Sequence, residues 1–280
     1  MTPNPFSADR PLALVGCGRM GRAMLTGWRR AGLAWGSIIA VDPAGAPSAV
    51  RHLSQVDGLS ETSPALTVLA VKPQQLWAVG ADLARVLPPD AACLSVLAGM
   101  PLATLQTALG GTDRPLIRAM PNTPAAVGAG ITALCANEAG AAWLDRAADL
   151  LAVLGSVVRL DDERQMDAVT AVSGSGPAYI FHLVEALSAA AEAEGLSADL
   201  AQTLARATVS GAGALLAAEE GSAADLRAAA TSPGGTTEAG LAALMADGRL
   251  TKLMTGAVHA AAARSRALGQ QTTAPKEEGS

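Results

Sequence analysis

Several residue types are scarce in this chain. Aromatic residues make up only 2% of its 280 residues, lysine occurs at positions 72, 252 and 276 alone, and cysteine only at 17, 93 and 135. With so few rings the core must be built from aliphatic and small side chains. Half the residues are hydrophobic and 29 are glycine, which suits closely packed helices and tight turns. The cysteines are odd in number and far apart, with no CxxC pair and no histidine nearby at ligand spacing. That pattern excludes a disulfide framework and the common zinc motifs, and reduced thiols in a cytoplasmic protein are expected. A formal charge of -5 and a pI near 5.2, without runs of one sign, provide no field for nucleic acid or an acidic membrane. A small-molecule partner is expected instead. No run of about 18 uncharged apolar residues exists to span a bilayer, and residues 1–10 lack the basic and apolar segments of a signal peptide.

What is present divides the chain in two. Between residues 11 and 160, short apolar runs at 12–15, 38–41, 66–71, 93–97, 116–120, 131–136 and 157–160 alternate with helical patterns. Continuous apolar strands separated by helices predict a doubly wound α/β domain with a mostly parallel sheet, the direction of the last two or three strands staying open. After Asp161 the strand signal ends. Helix starts at Ser197, Ser222 and Thr236 predict an all-helical second domain over 161–269. Residues 270–280 are polar and aperiodic, as in a disordered tail.

The first apolar run leads straight into Gly16-Cys17-Gly18-Arg19-Met20-Gly21, followed by a helical pattern, so this Rossmann-like domain, 1–160, is expected to bind a dinucleotide. The first glycine permits the turn, the second lets a pyrophosphate reach the backbone, and the third lets helix pack on strand. Asp42, at the end of the second run, is placed to accept hydrogen bonds from the ribose hydroxyls and to repel a 2′-phosphate. Arg19 and Arg51 could answer such a phosphate, so the choice between NADH and NADPH stays open. Lys72, which Pro73 holds extended at a strand end, is either a solvated lysine or a contact to cofactor ribose or phosphate. The segments 97–101, with Ala98, and 118–124, with Asn122, should line the same crevice, where small and amide side chains suit a flat nicotinamide. For Arg118 an ion pair and a ligand contact are equally open.

Two further clusters combine glycines with hydroxyls and contain no carboxylate or histidine. One is residues 173–179, SGSGPAY. The other is residues 232–237, SPGGTT, where a bend, converging N–H groups and a following helix start would cradle a small anion. The plainer alternative for 232–237 is a Pro-Gly turn followed by a threonine N-cap.

In order, GCGRMG, AVKP, AMPNTP, DAVTAVSGSGPAYIF and SPGGTTEAGL closely resemble the pyrroline-5-carboxylate reductase family over residues 11–269. The resemblance implies reduction of 1-pyrroline-5-carboxylate to L-proline, the last step of proline biosynthesis, with NADPH or NADH. It places Gly16, Gly18, Arg19 and Met20 at the pyrophosphate, Ala70, Lys72 and Pro73 at the nicotinamide-side ribose and Ala98 near the nicotinamide. Ser232, Gly234, Gly235 and Thr236 would hold the substrate carboxylate. Thr237 would face the ring nitrogen, and Ser175 is the second hydroxyl assigned to catalysis. The family also implies a homodimer or larger homo-oligomer with interlocked helical domains, in which the substrate loop completes a site whose nucleotide comes from the partner subunit. No metal is implied. A protonated cyclic imine accepts hydride readily, so the lack of a charged acid agrees with the chemistry.

The chain departs from the family at Asp42-Pro43, where members often carry Ser or Asn-Arg, and in having no counterpart of an Asn before the 66–71 strand. Glu163 and Glu220 align with acids near the family's site, although solvated helix-terminal roles fit both. A β-hydroxyacid dehydrogenase would share the architecture but needs a lysine in the first interdomain helix. None occurs between 161 and 195. A nucleotide-sensing dimer would keep the glycine turn without needing the 232–237 cradle.

Overall fold

The computed structural model describes residues 6–111 and 113–271. The chain forms two compact units: Gly176–Ala260, and the residues on either side of it.

The first unit is built on strands β1 (Leu12–Val15), β2 (Ile38–Val41), β3 (Arg51–Leu53), β4 (Leu66–Leu69), β5 (Cys93–Ser95), β6 (Leu116–Met120), β7 (Gly130–Ala136) and β8 (Gly155–Arg159). Their order in the sheet is β3-β2-β1-β4-β5-β6-β7-β8. Pairing is parallel from β3 to β6, antiparallel between β6 and β7, and parallel again between β7 and β8. The first six strands follow the dinucleotide-binding order, with its switch point between β1 and β4. Helices α1 (Arg19–Arg30), α2 (Leu76–Val86), α3 (Leu102–Ala108) and α4 (Leu144–Leu151) connect them.

Alternation along each strand feeds two cores. Leu12, Leu14, Ile38 and Val68 pack with Met24, Trp28 and Leu151 on one face, while Ala13, Val15, Ile39 and Leu69 pack with Leu76, Leu83 and Leu105 on the other. A sheet buried on both faces needs continuous apolar strands, which is why these were visible in the sequence. The exception is β3, an Arg-His-Leu edge strand with two exposed residues and no apolar run to announce it. Two expected strands stop early, β4 at Leu69 and β5 at Ser95, before the turns that carry Lys72 and Ala98.

The units divide at Ser175, whereas the strand signal ends near residue 160. Residues 163–175, including the short helix α5 (Met166–Val169), belong to the first unit. Met166 is buried with Ala133 and Cys135. The last turns of α10 (Arg249–Gln271) belong there too: Ser265 Oγ donates to Asp167 Oδ1 at 2.6 Å. Residues 272–280 of the expected tail lie outside the described residues.

The second unit consists of α6 (Gly176–Ala193), α7 (Ala198–Ala218), α8 (Ala223–Ala229), α9 (Thr236–Met245) and the first part of α10. Two of the expected starts are N-caps, Ser197 before α7 and Ser222 before α8. The Ser222 and Asp225 side chains exchange hydrogen bonds with each other's backbone N–H. The small-residue core appears as Ala201 and Ala205, both buried. Large apolar side chains such as Phe181, Leu204, Leu216, Leu253 and Met254 are exposed within the chain. No helix among the described residues is long and apolar enough to cross a membrane.

Candidate active site

All the nucleotide-site residues expected in the first unit lie at or just beyond the carboxyl ends of parallel strands. The glycine turn follows β1, Asp42 follows β2, Ala70, Lys72 and Pro73 follow β4, Ala98 follows β5 and Asn122 follows β6. Ligands bind at this edge of open α/β sheets.

The three glycines of the turn divide the work. Gly16 has φ +102°, and a Cβ there would lie 2.6 Å from the carbonyl carbon of Ala70. At Gly21 a Cβ would lie 2.1 Å from the Gly16 oxygen, so that residue sets the close packing of α1 on the turn. Gly18 meets nothing within 4 Å. It is exposed and caps α1 in extended conformation, leaving open space at a helix N-terminus where a pyrophosphate fits. Arg19 is exposed beside it, while Met20 packs partly buried against the core.

Asp42 is turned back onto this loop. Its Oδ2 accepts the Cys17 N–H at 2.6 Å and its Oδ1 accepts the Ala44 N–H at 2.7 Å. Arg22, which the sequence reading overlooked, donates from Nε to the Cys17 carbonyl at 2.9 Å. Cys17 is therefore held on both sides by its backbone. Burial, reinforced by the Asp42 charge, pushes its thiol up to about 11, far from a nucleophile's range.

Lys72 is exposed and extended, followed by a single 3-10 turn at Pro73–Gln75. Its N–H donates to Gln75 Oε1 at 3.2 Å. Ala98 is exposed at the loop after β5. That loop is seated from two directions. Gly99 lies against the end of α10, where a Cβ on Gly269 would come 3.1 Å from the Gly99 oxygen. From the other direction, the Leu102 N–H donates to Glu163 Oε1 at 2.8 Å. The same Glu163 oxygen accepts from Arg118 at 2.7 Å, the arginine side chain being only 6% exposed. Arg118 is thus in an ion pair, which resolves the alternatives in that direction. Glu220 is exposed between α7 and α8.

Asn122 has both ends of its amide committed to the protein. Nδ2 donates to the Ser173 carbonyl at 3.1 Å, and Oδ1 accepts the Ile131 N–H at 3.0 Å. The Ser173 segment is a π-turn, Thr170–Gly174, closed by the Ser175 N–H donating to the Thr170 carbonyl at 2.9 Å. Ser173 Oγ is spent on the Val169 carbonyl. Ser175 is partly buried at the end of the turn.

In the second unit, residues 232–237 form a turn leading into α9. The N-cap is Gly235, with no side-chain cap bond, so the threonine N-cap is not what is built. Gly234 takes φ +70°, a left-handed conformation that favours glycine. Neither glycine N–H is free. That of Gly235 donates to the Ser232 carbonyl at 3.0 Å, and that of Gly234 to Glu238 Oε2 at 2.7 Å. The glycines therefore shape the loop, and the N–H groups left at the helix start are those of Thr236, Thr237 and Glu238, which have no partner within the helix. Ser232 and Thr237 are exposed. Glu238 is legible in the sequence as part of the Thr236-Thr237-Glu238 helix start, but its bond to the Gly234 N–H is not. Among the described residues no group of three or more His, Cys, Asp or Glu is placed to hold a metal ion.

Comparison with known proteins matches residues 163–268 to the family described as pyrroline-5-carboxylate reductase dimerisation. A pyrroline-5-carboxylate reductase of Pseudomonas aeruginosa is 40% identical over 93% of this chain and 97% of its own. The solved pyrroline-5-carboxylate reductase of Coxiella burnetii superposes with a TM-score of 0.84, at 32% identity over 93% of this chain and 98% of that one. The pyrroline carboxylate reductase of Plasmodium falciparum, solved with NADP bound, has a TM-score of 0.76, at 27% identity over 94% of this chain and 99% of that one.

Proposed function

The chain belongs to the pyrroline-5-carboxylate reductase family and reduces 1-pyrroline-5-carboxylate to proline with NAD(P)H, and we propose that it does so by positioning alone, through a site without a charged acid. The reading is carried by the start of α9, where the Glu238 carboxylate is already engaged by the Gly234 N–H. There the two glycine N–H groups are consumed within the loop, and those of Thr236, Thr237 and Glu238 remain available at the helix start.

In this reading Ser232 and the Thr236 and Thr237 N–H groups hold the substrate carboxylate, helped by the positive end of the α9 dipole. Gly234 and Gly235 hold the loop's shape. The Thr237 hydroxyl hydrogen-bonds the ring nitrogen and orients C5. Ser175, at the end of the π-turn, is the second hydroxyl. The imine nitrogen takes its proton from solvent before or during binding, so no side chain needs a matched pKa.

The open space at Gly18 and the N-terminus of α1 fit a dinucleotide pyrophosphate, with Gly16, Arg19 and Met20 completing that turn. Asp42, Ala70, Lys72 and Pro73 face the riboses, and Ala98 borders the nicotinamide. Asn122 acts here through the two backbone groups it holds. When bound, the reduced nicotinamide supplies the hydride that C5 accepts, giving the secondary amine.

Homo-oligomerisation is supported by the dimerisation-family match and by the apolar side chains exposed on the second unit. The finer reading is a homodimer or larger ring in which the cradle of one protomer serves the nucleotide turn of its partner. Three buried free cysteines fit a reducing cytoplasm.

The test is loss of reduced-nicotinamide absorbance with 1-pyrroline-5-carboxylate, run against hydroxy acids and other cyclic imines. Turnover of the pyrroline with none of the hydroxy acids is expected. Cofactor binding without turnover of any imine would refute the reading.

A further inference from the structure

Glu238 lies one residue beyond the group assigned to the ring nitrogen, and its exposed carboxylate is engaged by the loop's own backbone. Its Oε2 accepts the Gly234 N–H at 2.7 Å, reaching back over the start of its own helix. An N3 glutamate ordinarily bonds the N-cap N–H, which here belongs to Gly235 and is already donating to the Ser232 carbonyl. The carboxylate has therefore moved one residue further back, onto a glycine held at φ +70°.

We propose that Glu238 is a positioning residue for substrate binding: it occupies the Gly234 N–H so that the substrate carboxylate has only one set of donors to choose. This rests on the assignment of residues 232–237 to the substrate carboxylate. Two consequences follow from the geometry. A glycine pair is the most deformable stretch of backbone available, and the bond from Glu238 ties it to the rigid first turn of α9, keeping Ser232 and Thr237 at fixed separation. An unoccupied Gly234 N–H would also be a second anion donor, offering the carboxylate a displaced register in which C5 is misplaced. Glu238 thus fills, from within the chain, the position the substrate carboxylate must not take.

The decisive comparison is Glu238→Ala against Glu238→Gln in the full-length oligomer. Gln retains an oxygen that can accept the Gly234 N–H, whereas Ala has none. Expected for Glu238→Ala is a rise of about tenfold in KM for 1-pyrroline-5-carboxylate, the scale of one lost hydrogen bond to a charged group. The KM for the reduced nicotinamide should stay within about twofold and Glu238→Gln within about threefold of the parent in substrate KM. A cap that served only helix stability would lower the unfolding midpoint and leave this split absent. An unchanged substrate KM in Glu238→Ala, or a Gln variant as impaired as the Ala variant, overturns the inference. Ser232→Ala separates the two levels: if it leaves the substrate KM unchanged, the carboxylate assignment itself fails, whereas if it raises KM while Glu238→Ala does not, only the role of Glu238 is lost.

Discussion

The side-chain amide of Asn122 donates to the carbonyl of Ser173 at 3.1 Å. In a regular helix that carbonyl would take the N–H four residues on, but residue 177 is proline and has none. Asn122 replaces the missing donor and, with its oxygen, takes the N–H of Ile131 at the start of β7. Asn122→Ala should therefore cost about 1–3 kcal/mol, since it strands two partly buried backbone groups. Asn122→Asp should cost at least as much, because it turns an acceptor toward the Ser173 carbonyl. Urea unfolding measures both, and an Asp variant as stable as the parent would contradict the donor role.

The glycine turn predicts two opposite phenotypes. Gly18→Ala has space for its methyl group, so its free energy of unfolding should stay within about 0.5 kcal/mol of the parent's. Its cofactor Kd should nevertheless rise about tenfold or more as the methyl occupies the pyrophosphate's approach. Gly21→Ala would drive a methyl into the Gly16 carbonyl and should lose stability and binding together. Calorimetry with and without NADH distinguishes them, and similar behaviour of the two variants would remove the assigned division of roles.

Asp42 bears on the choice of nucleotide. Its carboxylate is fixed by two N–H groups, so it cannot swing aside readily for a 2′-phosphate. The expected kcat/KM is higher for NADH than for NADPH by about tenfold, and Asp42→Ser should narrow that gap. Parallel initial rates decide it, and a preference for NADPH in the parent enzyme would show that the ribose lies elsewhere.

Thr237→Ala should lower kcat/KM by about 10- to 100-fold, the scale of one transition-state hydrogen bond, with cofactor affinity retained. Mixing this variant with Gly18→Val, unfolding and reassembling them together, asks which chains share a site. Recovered turnover is expected if the cradle and the turn come from different protomers. An inactive mixture of well-folded hetero-oligomers would place both in one chain.

The thiols predict an alkaline limit. Burial raises Cys17, Cys93 and Cys135 from 9.0 to about 11. A raised thiol pKa contributes stability that is fully present below the unfolded value and is lost as pH rises toward the folded one. The urea midpoint should fall between about pH 9 and 11. The chain has one tyrosine and three lysines, so few other groups titrate there, and a Cys-to-Ala triple variant should flatten the decline. A decline unchanged in that variant would assign it to another group. In the native enzyme none of the thiols should react with a thiol reagent at about pH 8.

The nucleotide turn was legible because its glycines stand between an apolar strand and a helical pattern, and each strand buried on both faces announces itself as an apolar run. The edge strand β3 was not, since Arg51 and His52 face solvent. The extent of the first unit was hidden for a different reason. Glu163 meets Arg118 across 45 residues and Ser265 meets Asp167 across 98, and such side-chain pairings leave no periodicity to read. Asn122 shows the limit within the site itself: an amide in a strand-end loop suits a flat ligand and an orphaned carbonyl equally well, and only the position of Ser173 distinguishes them. Glu238 stood at a readable capping distance, but its shift from Gly235 to Gly234 depends on where the turn had already spent its N–H groups.

The contact between Gly99 and the final turns of α10 sets an order of events during synthesis. The loop after β5 leaves the ribosome early, and the helical turns that seat it leave only after the whole of Gly176–Ala260. Domains tend to fold as they emerge, but this one must wait with an unfinished edge beside Ala98 while a second unit is made. A nascent chain halted inside α10 would have all eight described strands and the complete glycine turn, and still lack the backing of the loop after β5.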